Sequence, residues 1–229
     1  MAVSWIYLLD AAILLAVIYF LFTREEERGI PLRWFMAWLG LNALTNVLIF
    51  CSRAIPDRTI SLSFWLVGCC AATILVLVSL FFIRSFEGGN DFLAVFWTVP
   101  ALCGLAFILQ AGGDVSIYEH GVWRFNLDNQ AAILLVMIMA FYAVASLVYL
   151  FKLNVDVRKE GSDVTRRGVA YLLVAFLVIF LTNMASPYVR EYVNPLIPLG
   201  EVGSTLGALI IALNLSWVRA RREREQNLI

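Results

Sequence analysis

Seven polar side chains stand where the surrounding sequence is otherwise apolar. Asp10, Asn42, Asn46, Asn183, Glu201, Ser204 and Thr205 each fall inside or at the edge of a long uncharged stretch. Together they offer two carboxylates, three amides and two hydroxyls, a set that can bind a small polar or amphipathic ligand by hydrogen bonds. Their spacing groups them. Asn42 and Asn46 are four residues apart on one side of a helix, with Thr45 adjacent, and Ser204 and Thr205 follow Glu201 at three and four residues on one face. Asn183 is preceded by Thr182. The competing reading is plain packing. A carboxylate at a helix N-terminus is favoured by the helix dipole alone, and amides between membrane helices act as glue worth about 0.5–2 kcal/mol.

Other chemistries are poorly supplied. His120 is the sole histidine, so haem held by paired histidines within one chain is not expected. The only lysines are Lys152 and Lys159, which leaves no retinal Schiff base in the last helix. Walker A, H-E-x-x-H and G-x-S-x-G patterns are missing from the sequence. Cys51, Cys69, Cys70 and Cys103 lie in or beside apolar segments without C-x-x-C spacing, and read as buried thiols that need no disulfide. No catalytic residue, metal, cofactor or nucleic-acid partner is expected, and the chain does not read as an enzyme.

The elements that must position the polar set are membrane helices. Uncharged cores run from Ala11 to Thr23, Trp34 to Ser52, Thr59 to Ile83, Phe92 to Gly113, Asn129 to Phe151, Gly168 to Val189 and Val202 to Val218. The first is shortened by Asp10 within a helix that starts near Trp5. A hydrocarbon core about 30 Å thick needs about 20 residues at 1.5 Å each. The chain is 62% hydrophobic and 15% charged, against about 25% charged in soluble domains. A soluble bundle would need a polar face on each helix, and these runs have none. The expectation is an all-α membrane protein, a seven-transmembrane-helix bundle over residues 1–218 followed by a basic exit helix or tail over 219–229.

Charge orients it. Arg24, Arg28, Arg33, Arg84, Lys152, Arg158, Lys159, Arg166, Arg167, Arg219, Arg221, Arg222 and Arg224 fall in alternate connections and the tail, thirteen of the 17 basic residues. Arg53, Arg58, Arg124 and Arg190 fall on the other side. The positive-inside rule then puts the N-terminus outside and the C-terminus in the cytoplasm, in a multi-pass inner (cytoplasmic) membrane protein. The first segment reads as a signal anchor, not a cleaved signal peptide, since no basic residue precedes it. Neither end carries a lipidation signature. In this orientation the polar set gathers in the outer half of the bundle, with Asp10 about 7–8 Å inward from Trp5.

The connections add detail. Between the fourth and fifth helices, Val115 to Leu127 alternates around His120-Gly121, which predicts a short β-hairpin across the outer face, either a lid or an aromatic-anchored interfacial loop. The inner loop from Lys152 to Arg167 mixes both charges around Gly161, and suits contact with lipid headgroups or a cytoplasmic partner. In the tail, Arg219 with Glu223 and Arg221 with Glu225 are spaced to support a helix leaving the membrane. Gly200, Gly203 and Gly207 predict close helix packing, and Pro100 predicts a kink.

Gly121-Val-Trp123 in the long outer loop, Pro195-Leu-Ile-Pro-Leu-Gly200 leading into Ala208-Leu-Ile-Ile-Ala-Leu-Asn214, and the helical exit carry a likeness. With its N-out topology, the chain resembles the seven-helix N-terminal sensor region of bacterial and archaeal histidine kinases. Within the 229 residues stand no phosphorylatable-histidine helix and no ATP-binding domain, so the resemblance implies an isolated sensor domain or a standalone relative. Three functions are open. The first is a sensor or receptor-like module that binds a small molecule or lipid in the outer half and signals through its cytoplasmic end. The second is an accessory subunit holding a membrane or cytoplasmic protein. The third is a small transporter, which the lack of a repeat between halves disfavours. Membrane lipids and a second copy of the chain are the remaining expected partners.

Overall fold

A backbone removed from water must satisfy its own hydrogen bonds, and helix does so within one segment. The computed structural model follows that rule; it describes residues 2–24, 30–86, 92–117, 123–127, 129–160, 162–193 and 197–226. Among them are seven helices: α1 (Ala2–Arg24), α2 (Ile30–Ala54), α3 (Arg58–Arg84), α4 (Phe92–Ala111), α5 (Asn129–Glu160), α6 (Asp163–Tyr192) and α7 (Leu199–Gln226). All except α4 are long and apolar enough to cross a membrane, and α4 contributes a shorter apolar stretch, Phe96–Ala111.

Local signals set the helix ends. Asp57 caps α3 by accepting a hydrogen bond from the Ile60 N–H at 2.8 Å. Ser162 caps α6 in the same way through Thr165 N–H at 3.3 Å. Gly112 ends α4 with φ at 66°, a left-handed conformation that glycine adopts without strain, and its N–H donates to the Ile108 carbonyl at 3.2 Å. The Lys152–Arg167 segment is not an open loop: α5 runs to Glu160 and α6 begins at Asp163, so only the turn around Gly161, which lies outside the described residues, separates them.

The helices form a ring in the order α1, α2, α3, α5, α6, α7, closed by contact between α7 and α1, while α4 packs outside against α3 and α5. For reference, the end where α4 and α5 are joined is called the hairpin end, and the end where α5 meets α6 the tail end. The tail-end half of the ring is filled with apolar side chains. Phe35, Phe82 and Phe176 stack across α2, α3 and α6 at centroid separations of 5.2 and 6.3 Å, with Leu150 and Ile211 beside them.

The outer surface is apolar in the opposite sense. Leu9, Leu15, Tyr19 and Phe22 of α1 and Ile133, Met137, Val144 and Val148 of α5 stand exposed over most of their helices' lengths. Water would not tolerate such a continuous apolar belt around a monomer. The chain has the build of a multi-pass membrane protein.

The hairpin is present. Strands β1 (Gly113–Ile117) and β2 (Trp123–Leu127) pair antiparallel with Gly113 opposite Leu127 and Ile117 opposite Trp123, a register centred on His120. The His120-Gly121 turn itself lies outside the described residues. The ribbon rests against α3 and α5: Trp65 stacks on Phe125 at 5.2 Å and 15°, and Arg58 donates to Asp114 Oδ1 at 2.8 Å. The Val115 N–H, followed by Arg58, holds the Asp114 carboxyl below the usual carboxylate range.

Candidate functional site: a buried polar group between α1, α2 and α7

On α1 the core-facing stripe is Tyr7, Asp10, Ala11, Leu14 and Leu21, all nearly inaccessible. The spacing of three and four residues is that of one helix face. Asp10 therefore points into the ring, not at lipid, and only 5% of it is exposed. On α2 the corresponding stripe is Phe35, Trp38, Leu39, Asn42 and Asn46, apolar toward the tail end and polar toward the hairpin end.

Register brings the two polar segments level. Trp5 packs on Phe50 at 5.9 Å, and the Arg53 guanidinium lies 4.9 Å over the Tyr7 ring, so α1 and α2 run antiparallel with these pairs near the hairpin end. From the Trp5–Phe50 contact, Asp10 lies about 7.5 Å and Asn46 about 6 Å toward the tail end, with Asn42 one turn deeper. On the other flank of α1, the Asp10 carboxyl sits beside the Thr205 hydroxyl of α7 and within electrostatic reach of Glu201, one turn nearer the hairpin end.

These groups are together but not satisfied. Among the described residues, Asn42 Nδ2 and Asn46 Nδ2 are buried without a hydrogen-bond partner, while Asp10 Oδ2 and Thr205 Oγ1 face one another within reach but short of full hydrogen-bond geometry. Buried polar atoms are almost always partnered, and leaving one bare costs about 1–3 kcal/mol. An acceptor, a hydroxyl and two amide donors with spare capacity gather at one depth, directly above the apolar filling of the tail-end half. Such a group can take water, or a small molecule carrying both donors and acceptors. Among the described residues the ribbon rests on α3 and α5, across the ring from this group.

The other expected site residues separate from this group. Asn183 Nδ2 donates to Ser204 Oγ at 3.1 Å and to the Ile179 carbonyl at 2.8 Å, so it ties α6 to α7. Ser204 thus turns to α6, while its neighbour Thr205 turns to α1. Thr182 spends its hydroxyl on its own helix, donating to the Val178 carbonyl at 2.7 Å. Thr45 does likewise with Leu41 at 2.8 Å. The α6–α7 seam is close because its glycines leave room: a side chain at Gly203 would collide with Thr182, one at Gly200 with Asn183 and one at Gly207 with Ile179. Nearer the tail end, Asn214 Nδ2 donates to the Gly168 carbonyl at 2.8 Å across the same seam.

Two further residues went unmarked in the sequence. The Tyr142 hydroxyl of α5 is spliced into α4, accepting at 3.1 Å from the N–H of Ala101, one residue beyond Pro100, and donating to the Trp97 carbonyl. Arg84, counted only as a loop charge, is buried at the end of α3. Among the described residues all four cysteines are free thiols and no cluster has the makings of a metal site.

No family model matches the chain, and no curated protein matches it by sequence.

Proposed function

We propose that this protein is a membrane sensor or receptor-like module. On this reading seven helices, α4 included, cross the cytoplasmic membrane with the hairpin end outside, an orientation that the distribution of basic residues supports. A small polar or amphipathic molecule, or a lipid headgroup, binds in the outer half among Asp10, Asn42, Asn46 and Thr205, with Glu201 and the Arg53–Tyr7 pair at its outer edge. Asn183 and Ser204 act behind it, holding α6 to α7. The observation that carries this reading is the set of incompletely satisfied buried polar atoms at one depth above an apolar-filled half.

Coupling runs through α7. It is one unbroken helix from Leu199 to Gln226, about 42 Å at the helix rise, longer than the hydrocarbon core. A ligand that changes the α1–α7 contact at Thr205 moves α7, and the close seam with α6 makes the pair shift as a unit. The tail-end filling favours a sensor over a transporter, since alternating access needs that half to open. The likeness to histidine-kinase sensor regions points the same way.

A thermal-shift screen of amphipathic metabolites and lipids tests the reading. A true ligand at a hundredfold its Kd stabilises by about 2.7 kcal/mol, and it must do so for the wild type but not for Asp10→Asn or Thr205→Val. A screen in which every stabilising compound acts equally on all three proteins rules the site out.

A further inference from the structure

Arg84 is the last residue of α3, with only 8% of its surface exposed. Among the described residues it makes no ion pair. Its guanidinium lies over an aromatic ring, the guanidinium carbon 5.7 Å from the centroid of Tyr149 on α5. Its Nε is buried and unpartnered. The carbonyls at the C-terminus of α3 favour a cation here, but as a partial charge that does not balance a buried guanidinium. A buried cation with no counter-charge among the described residues is a place where an anionic group can bind.

The depth of Arg84 says what can supply it. From the Asp57 cap to Arg84, α3 is 27 residues long, about 40 Å at the helix rise. That matches a bilayer measured through its headgroups. Arg84 therefore sits at the phosphate layer of the leaflet facing the tail end, which the basic residues mark as cytoplasmic and which carries the anionic lipids. Three helices meet there. Tyr149 of α5 lies between Arg84 and Trp97 of α4, whose ring is 6.2 Å away and nearly perpendicular. Leu77 and Leu80 of α3 and Ile138 of α5 form the apolar floor toward the membrane centre. Lys152 stands one turn beyond Tyr149 on α5.

We propose that the crevice of α3, α4 and α5 at the tail end is a binding site for one anionic phospholipid, whose headgroup phosphate is held by Arg84 on the Tyr149 ring. The planar guanidinium fork suits a phosphate oxygen pair, which a lysine ammonium matches only as a point charge. The acyl chains lie along the exposed apolar flank of α4 and α5, which Phe96 and Phe151 mark. This site is separate from the polar group at the hairpin end, and its failure leaves that reading untouched.

Native mass spectrometry of the full chain tests it, after purification in mild detergent with added phosphatidylglycerol or phosphatidylcholine. The wild type retains one phosphatidylglycerol, and its unfolding temperature rises with that lipid but not with phosphatidylcholine. Arg84→Lys, which keeps the charge and is the safeguard should Arg84→Gln fail to fold, retains phosphatidylglycerol about tenfold less well, the loss of one charge-assisted hydrogen bond. Glu87→Gln/Asp91→Asn, which removes the acids nearest in sequence, leaves retention unchanged. Equal retention of both lipids, or undiminished retention by Arg84→Lys, overturns the proposal. Stabilisation by millimolar inorganic phosphate equal to that by phosphatidylglycerol overturns the lipid as its source.

Discussion

Gly203→Ala and Gly40→Ala add the same methyl group to a membrane helix, and the structure gives them opposite signs. Alanine gains about 0.8–1.0 kcal/mol over glycine in a helix interior wherever there is room for it. Around Gly40 nothing lies within 4 Å of the new methyl, so Gly40→Ala keeps that gain. At Gly203 the methyl would overlap the Thr182 side chain at its Cβ as well as at its hydroxyl. Thr182 cannot rotate away freely, because its hydroxyl is bonded to the Val178 and Ile179 carbonyls at 2.7 and 3.1 Å. Overpacking of this kind costs about 1–3 kcal/mol, so the two substitutions should differ by about 2–4 kcal/mol. Equilibrium unfolding in mixed detergent micelles, monitored by tryptophan fluorescence, reads the difference. Thr182→Ala, which removes the Oγ1 and Cγ2 overlaps, should recover part of the Gly203→Ala loss. A Gly203→Ala protein as stable as Gly40→Ala would refute the close α6–α7 seam, and with it the account of α6 and α7 moving as a unit.

Other perturbations address the remaining contacts. Tyr142→Phe removes the hydroxyl from α4 while keeping the ring, and should cost about 1–2 kcal/mol and speed hydrogen exchange at the Ala101 amide; unchanged exchange there would contradict the splice. Asp114 has its folded pKa lowered, chiefly by the Val115 N–H and then by Arg58, so its stabilisation is full above the ordinary aspartate value of about 3.9 and is lost as pH falls through the lower folded value. Hairpin docking, read from hydrogen-exchange protection of the Val115 amide, should hold from neutral pH down to about 5 and weaken below about 4. In Asp114→Asn that acid transition should vanish, and its persistence would assign it to another group.

The legible part of the fold was the part written in long apolar runs. Nothing but helix satisfies such runs in lipid, and the alternating segment around His120 paired with the register its centre implied. The glycines at 200, 203 and 207 announced a close seam, which they make with α6. Extension of α5 and α6 through the charged segment was not legible from hydropathy, because Lys, Arg and Glu are good helix formers that merely end the apolar run. Pairwise direction was not legible either. Ser204 and Thr205 are adjacent, so about 100° apart around α7, and only the neighbours decide that one meets Asn183 and the other Asp10. Arg84 looked like an ordinary loop charge because burial at a helix end depends on α4 and α5, which come later in the chain. Pro100 was visible as a break in the α4 ladder, yet the partner that enters it, Tyr142, lies 42 residues away. The structure does not reach the Pro195-Leu196 segment or the side chains of the Arg219–Glu223 and Arg221–Glu225 pairs; these lie outside the described residues, though the backbone of α7 is helical to Gln226.

The central claim is that the buried polar group around Asp10 and Thr205 is a binding site. Native mass spectrometry of the gently solubilised chain, with chemical identification of any retained small molecule or lipid, tests it most directly. The account predicts a discrete adduct that survives Arg84→Lys and is lost in Asp10→Asn and Thr205→Val, both still folded. A protein that carries no such adduct and appears only in fixed stoichiometry with a second protein would contradict it, and would make this chain a subunit of an assembly.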